Sequence, residues 1–129
     1  MKTLSIGEIA RLAGFETSAL RYYEEIGLLP RPAREAGRRR YNPDVLERLA
    51  VIALAKEAGF RLDEIKTLLD GFAPDTPVST RWRTLAQHKI PEIDAHIGRL
   101  RAMKRLLQQG IECDCVEISS CSLALAGTI

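Results

Sequence analysis

Hydrophobic residues at three- and four-residue spacing near the start of the chain predict two short helices. The first begins after Ser5, which forms a capping-box pattern with Glu8, and its apolar positions are Ile6, Ile9, Ala10 and Ala13. Gly14 supplies a left-handed stop, and a second helix is predicted from a Thr17 cap to Gly27. Because so few residues connect the two helices, they must cross steeply, as in a helix-turn-helix.

The stretch after the second helix combines helix breakers with basic residues, and two further helices follow it. Two prolines, a glycine and a run of arginines predict a short β hairpin or wing. A third helix is predicted from the start signal Asn42-Pro43-Asp44 to Gly59, and a fourth from about Leu62 to Asp70. We therefore predict an all-α fold with a small β wing, in which residues 1–72 form a winged helix-turn-helix domain.

One long helix accounts for the pattern in the second half of the chain. After a hinge at 73–77, a helix is predicted over 78–110, and its apolar positions are typical of a coiled-coil seam: Leu85, Ile90, Ile93, Ile97, Leu100 and Leu107. A helix of roughly 30 residues, near 45 Å long, cannot bury this stripe on so small a domain, so we predict a homodimer. Pro91 conflicts with an unbroken helix, and we expect a kink between Gln87 and Ile90 or a short break that restarts at Pro91.

The distribution of charged residues along the chain is more informative than the net charge. The net charge is only +2, but five arginines crowd the predicted wing with Glu35 alone against them: Arg31, Arg34, Arg38, Arg39 and Arg40. Guanidinium groups bind phosphates and guanine edges, and a tyrosine hydroxyl donates to a phosphate. We expect the second helix to turn its polar and aromatic residues partly outward. The predicted contacts with double-stranded DNA are Ser18, Arg21, Tyr22, Tyr23, Arg34, Arg38, Arg39, Arg40 and Tyr41.

The segment 111–129 carries the three cysteines of the chain: Cys113, Cys115 and Cys121. No secretory segment opens the sequence and no apolar run approaches the roughly 18 residues of a membrane span, which predicts a cytoplasmic protein without a membrane partner. An odd number of close cysteines in a reducing compartment favours metal or redox chemistry over disulfides. Two alternatives stay open: a redox or thiol-electrophile sensor without a stable metal, and three ordinary packed thiols. No arrangement of residues is placed for catalysis, so we do not predict an enzyme.

Four motifs in this order resemble the MerR family of bacterial transcription regulators: IGEIARLAG, LRYYEEIGLL, RRRY and GFRLDEIKTLL. The resemblance extends over essentially the whole chain, with one departure at Arg61, where the family often places a Ser cap. It implies a winged helix-turn-helix, a long antiparallel dimerisation helix and a C-terminal effector loop. It also implies promoter DNA and RNA polymerase as partners, with effector binding that bends and untwists the DNA.

The same resemblance implies a ligand set for the effector. In the family's metal sensors a cysteine pair lies just past the long helix, which corresponds to Cys113 and Cys121, and Ser79 falls where the partner subunit contributes to the site. In relatives a Ser there accompanies Cu(I), Ag(I) or Au(I), whereas a Cys accompanies divalent ions such as Hg(II). With Cys115 as a third thiolate donor, a divalent ion remains an alternative effector. The family's iron–sulfur branch needs a fourth cysteine where this chain has Gly110, which argues against a [2Fe–2S] cluster.

Overall fold

The computed structural model describes residues 2–114 and 116–121, and it confirms a mostly helical fold with a two-stranded wing. The elements are α1 (Ile6–Ala13), α2 (Thr17–Glu25), β1 (Ala33–Glu35), β2 (Arg38–Arg40), α3 (Val45–Glu57), α4 (Leu62–Asp70) and α5 (Val78–Glu112). A 3₁₀ turn, Ile118–Ser120, follows α5.

The hydrophobic core lies in the first of two compact units, Met1–Leu85 and Ala86–Ile129. Residues from α1 to α4 and from the loops between them are buried in it, and those with essentially no exposed surface are Ile9, Leu20, Leu28, Leu49, Ile52, Ile65 and Leu68. The first two turns of α5 also belong to this unit. Trp82 packs edge-on against Phe60 with ring centroids 5.3 Å apart, and Leu85 contacts the core.

Helix ends follow the local signals in most places. The Ser5–Glu8 capping box is formed in both directions, and Gly14 adopts a left-handed φ of 75°. The Asn42 side chain accepts from the amide of Asp44 at 3.0 Å, although regular α-helix begins at Val45 after one tight turn.

The predicted Thr17 cap is wrong. Glu16 occupies the N-cap of α2 without a side-chain hydrogen bond, and Thr17 is the first helical residue.

The helix α5 is longer than its sequence predicts and has no break, whereas the alternative of a kink between Gln87 and Ile90 stays a prediction. It runs for 35 residues through both Pro91 and Gly110, so the predicted break at Pro91 and the predicted end at Gly110 are wrong. A proline inside a helix costs roughly 3 kcal/mol, and a length of 35 residues offers many hydrogen bonds and side-chain contacts to offset that cost. Apolar side chains along α5 remain substantially exposed on the single chain, among them Ile90, Ile93, Ile97, Leu100, Met103, Leu106 and Leu107.

Within the described part of the chain, no helix combines the length and the apolar character that crossing a membrane requires.

Candidate nucleic-acid interface

The wing is a tight hairpin whose base is attached to the N-terminal segment. Its strands pair antiparallel with Arg34 opposite Arg39, and the two-residue turn consists of Ala36 (φ 52°) and Gly37 (φ 79°). Two residues with positive φ are what a type I′ hairpin turn requires. At the base, Leu4 and Tyr41 exchange two backbone hydrogen bonds of 2.8 Å.

Arginines from α2 and from the wing line one of the grooves on this part of the domain, with a volume of about 240 Å³. Its walls are Ser5, Ile6, Arg21, Arg34, Gly37, Arg38 and Arg39. Arg21 and Arg38 are exposed, and the Arg34 guanidinium donates to the Gly37 carbonyl at 3.1 Å. Ser18 is also exposed on α2, and Tyr22 keeps 48% of its surface accessible. A concave surface with several guanidiniums suits a phosphate backbone.

Glu24 holds the base of the wing against α2. Its carboxylate accepts from the Tyr41 hydroxyl at 2.5 Å and from Arg39 Nε at 3.3 Å, and its side chain is only 10% exposed. Burial, followed by the hydrogen bond to Glu24, raises the pKa of Tyr41 above its usual value, so the phenol stays neutral and keeps donating. The third arginine of β2, Arg40, donates to both the side chain and the carbonyl of Thr3.

Two aromatic residues assigned to the DNA surface are instead buried. Tyr23 is 3% exposed, its ring contacts Phe15 edge-on at 5.8 Å between centroids, and its hydroxyl accepts from Lys56 Nζ at 2.9 Å. Tyr41 is 2% exposed and faces Glu24. The expectation that α2 turns Tyr23 outward is therefore wrong, and Tyr41 is also inside the domain.

Sequence reasoning missed three polar residues that hold this domain together: Glu24, Lys56 and Arg81. Glu24 and Lys56 bond to residues 17 and 33 positions away, so no local spacing marks them. Arg81 on α5 is half-buried and donates to backbone carbonyls. The one signal for Arg81 in the sequence was its position in the first turn of a helix, where the helix dipole disfavours a cation.

The thiols lie at and beyond the end of α5. Cys113 and Cys121 are both partly buried, and their amides donate to Gly110 O and Ile118 O respectively. Cys115 lies outside the described residues, so its predicted role stays a prediction. Ser79 is exposed in the first turn of α5. Among residues 2–114 and 116–121, no three potential metal-ligating side chains come together.

Comparison with known protein families identifies the family to which this chain belongs. Residues 4–71 match the family described as MerR HTH family regulatory protein, and residues 46–110 match the family described as MerR, DNA binding. The chain belongs to the MerR family.

Relatives of this MerR-family chain are transcriptional regulators and not enzymes, in agreement with the prediction. It is 34% identical to the HTH-type transcriptional regulator CueR of Yersinia pestis, over 96% of this chain and 92% of CueR. It is 38% identical to the HTH-type transcriptional activator TipA of Streptomyces coelicolor over 84% of its own length, but spans only 41% of TipA. Among solved structures, PbrR691 of Ralstonia metallidurans CH34, in complex with lead(II), superposes with a TM-score of 0.75 at 30% identity, covering 95% of this chain and 98% of PbrR691.

Proposed function

We propose that this MerR-family regulator is a metal-responsive activator. It binds promoter DNA as a homodimer through α2 and the wing, and it distorts that DNA for RNA polymerase when a soft metal ion occupies the C-terminal thiols. The observation that carries the proposal is the position of Cys113 and Cys121, which follow the end of α5 in a chain that aligns end to end with CueR and lead-bound PbrR691.

The DNA part of the proposal rests on the arginine groove. Arg21 on α2 shares one concave surface with Arg34, Arg38 and Arg39 of the wing. The residues proposed to contact DNA are therefore these four arginines with the exposed Ser18 and Tyr22. Arg40 also lies on the wing, but its guanidinium already donates to Thr3 and must exchange that bond to reach a phosphate.

The homodimer is supported by the exposed stripe on α5. Ile93 and Ile97 are about two-fifths exposed, and Leu100 and Leu107 more than half exposed, on a helix whose opposite faces are charged. Apolar residues at coiled-coil spacing are buried when a second helix packs against them. An antiparallel partner would bring its own Ser79 towards the thiol loop, as the family resemblance implies.

The donor chemistry of the thiol loop fits a soft ion. Two thiolates satisfy the linear coordination of Cu(I), Ag(I) or Au(I), and sulfur ligands select such ions over hard cations. The exposed carboxylates of Glu112, Asp114 and Glu117 surround the loop and favour the approach of any cation. Cys113 and Cys121 would hold the ion, and Cys115 would add a third donor for Hg(II).

The proposal is tested with metal-free protein titrated with Cu(I) and separately with Hg(II), followed by ultraviolet absorbance and by transcription from its own promoter in vitro. We expect Cys113→Ser and Cys121→Ser each to abolish induction while operator affinity stays nearly unchanged, because the DNA contacts lie in the other unit of the chain. Ser119→Ala is the matched control, since it alters an exposed residue of the same loop and keeps every thiol.

Cys115→Ser separates the two ligand sets. Retained copper response with lost mercury response indicates a two-thiolate site, and loss of both indicates three thiolates. Induction of both Cys113→Ser and Cys121→Ser to the level of the parent would exclude the loop as the sensor. Induction of transcription by metal-free protein in the presence of a thiol oxidant would support the redox-sensor alternative instead of the metal sensor.

A further inference from the structure

Arg81, in the first turn of α5, donates to five backbone carbonyls of α4 and of the connector after it. Its Nη1 reaches Leu69 O at 2.8 Å and Leu68 O at 3.3 Å. Its Nε reaches Thr76 O at 3.0 Å, and Nη2 lies 3.4 Å from Ala73 O and 3.5 Å from Pro74 O. A guanidinium has five N–H donors, so this one side chain uses its full capacity on the backbone of a single corner.

The contacts are favourable for α4 as well as for the connector. The last carbonyls of a helix have no partner within it, and the C-terminal end of its dipole is negative. Arg81 supplies donors to Leu68 and Leu69 and places a cation at that end. The Phe72 ring lies 5.9 Å from the guanidinium carbon, which adds a cation–π contact on the same corner.

These bonds constrain a segment whose sequence suggests a hinge. The connector 71–77 carries two prolines and forms one turn of its own, from Thr76 N to Ala73 O at 2.9 Å. With Arg81 bound to three of its carbonyls and Trp82 packed on Phe60, the start of α5 is attached to α4 by side chains as well as by the chain itself.

A second arginine continues the connection towards the wing. Arg48 on α3 binds the Asp70 carboxylate at the end of α4 with Nη2 at 2.8 Å, and its Nε donates to Leu28 O at 2.7 Å. Leu28 lies in the loop that leads from α2 to the wing. Arg81 and Arg48 thus join the start of α5, the end of α4 and the approach to the wing by hydrogen bonds.

We propose that Arg81 is a positioning residue for the effector response, which makes the connector 71–77 a rigid joint so that movement of α5 reaches the DNA-binding surface. The proposal rests on the metal-responsive function above. Arg81 is neither among the residues that line the arginine groove nor part of the thiol loop. Its removal should therefore weaken the coupling between the two sites and leave binding at each of them intact.

The test compares the parent with Arg81→Met, which keeps the length of the side chain and removes every donor, and with Arg81→Lys, which keeps the charge and at most three donors. Arg83→Met is the matched control, because Arg83 is an exposed arginine on the next turn of the same helix. Three quantities are measured on each full-length dimer: operator affinity, Cu(I) and Hg(II) binding, and metal-induced transcription. Amide hydrogen exchange at 72–77 reports the joint directly.

We expect Arg81→Met to bind DNA and metal as the parent does, to lose about tenfold in induction, and to exchange faster at 72–77. Arg81→Lys should be intermediate and Arg83→Met like the parent. Parent-like induction of Arg81→Met, or of Arg81→Lys if the Met variant does not fold, would overturn the proposal. If neither metal induces transcription by the parent, the proposed metal-responsive function is wrong instead. In that case, unchanged amide exchange at 72–77 in Arg81→Met would show that Arg81 does not make the connector rigid.

Discussion

Removal of the Glu24 carboxylate tests how the wing is held in place. In Glu24→Ala the hydroxyl of Tyr41, a residue that is 2% exposed in the parent, loses its acceptor, and Arg39 loses its ion pair. An unsatisfied buried donor costs roughly 1–3 kcal/mol, with hydrogen bonds to charged groups at the upper end. The Arg39 side chain is 30% exposed, so its pair adds less than about 1 kcal/mol. We expect Glu24→Ala to lower the free energy of unfolding by about 3 kcal/mol.

A double-mutant cycle with Tyr41→Phe isolates the Glu24–Tyr41 interaction. Tyr41→Phe removes the buried donor, so adding Glu24→Ala to it should cost less than Glu24→Ala alone, with an interaction free energy of about 1–2 kcal/mol. Unfolding in urea, followed by circular dichroism at fixed protein concentration, measures each corner of the cycle.

The control is Glu25→Ala, which changes the exposed neighbouring carboxylate and should shift stability by less than about 0.5 kcal/mol. If the effects of Glu24→Ala and Tyr41→Phe add within about 0.5 kcal/mol, the two groups do not interact in solution, and this explanation of the buried tyrosine is wrong.

Three further predictions concern the wing turn, the dimer seam and the first helix cap. Ala36→Asn should stabilise the protein by about 1 kcal/mol, because Asn tolerates the left-handed φ of 52° better than Ala; a thermal midpoint below the parent's would contradict this. Ile97→Asp places a carboxylate in the proposed seam and should dissociate the dimer at micromolar concentration, judged by light scattering against Arg99→Ala; an intact dimer would put the seam elsewhere. Hydrogen bonds from Ser5 lower the pKa of Glu8, so the capping-box contribution is present above the unfolded value near 4.5 and is lost as pH falls through the folded pKa. Glu8→Gln should flatten acid unfolding in that range, and an unchanged profile would count against the cap.

Features of the fold that depend on neighbouring residues could be predicted from the sequence. The Ser5–Glu8 box, the Gly14 stop and the bounds of α4 all follow from groups within four residues of one another. The wing was predictable because its breakers and its arginines occupy one stretch.

Features that depend on distant partners could not be predicted in this way. Tyr22 and Tyr23 are adjacent and chemically alike, yet one is 48% exposed and the other 3%. The difference arises from Phe15, in the turn between α1 and α2, and from Lys56 on α3, which both contact Tyr23. The continuity of α5 is a similar case, since local propensity argues for a break at Pro91 and the structure has none.

The pairing of the wing arginines has a consequence for counterion release. A protein cation that contacts a DNA phosphate releases condensed salt ions, and each such contact steepens the salt dependence of binding by about one unit. The charge of Arg39 is already balanced by Glu24, and Arg40 Nε lies 4.0 Å from Glu35. Arg34 donates only to a neutral carbonyl, and Arg38 is exposed. Of the three consecutive arginines in β2, Arg38 should therefore account for most of the salt dependence, and Arg39 for the shape of the wing.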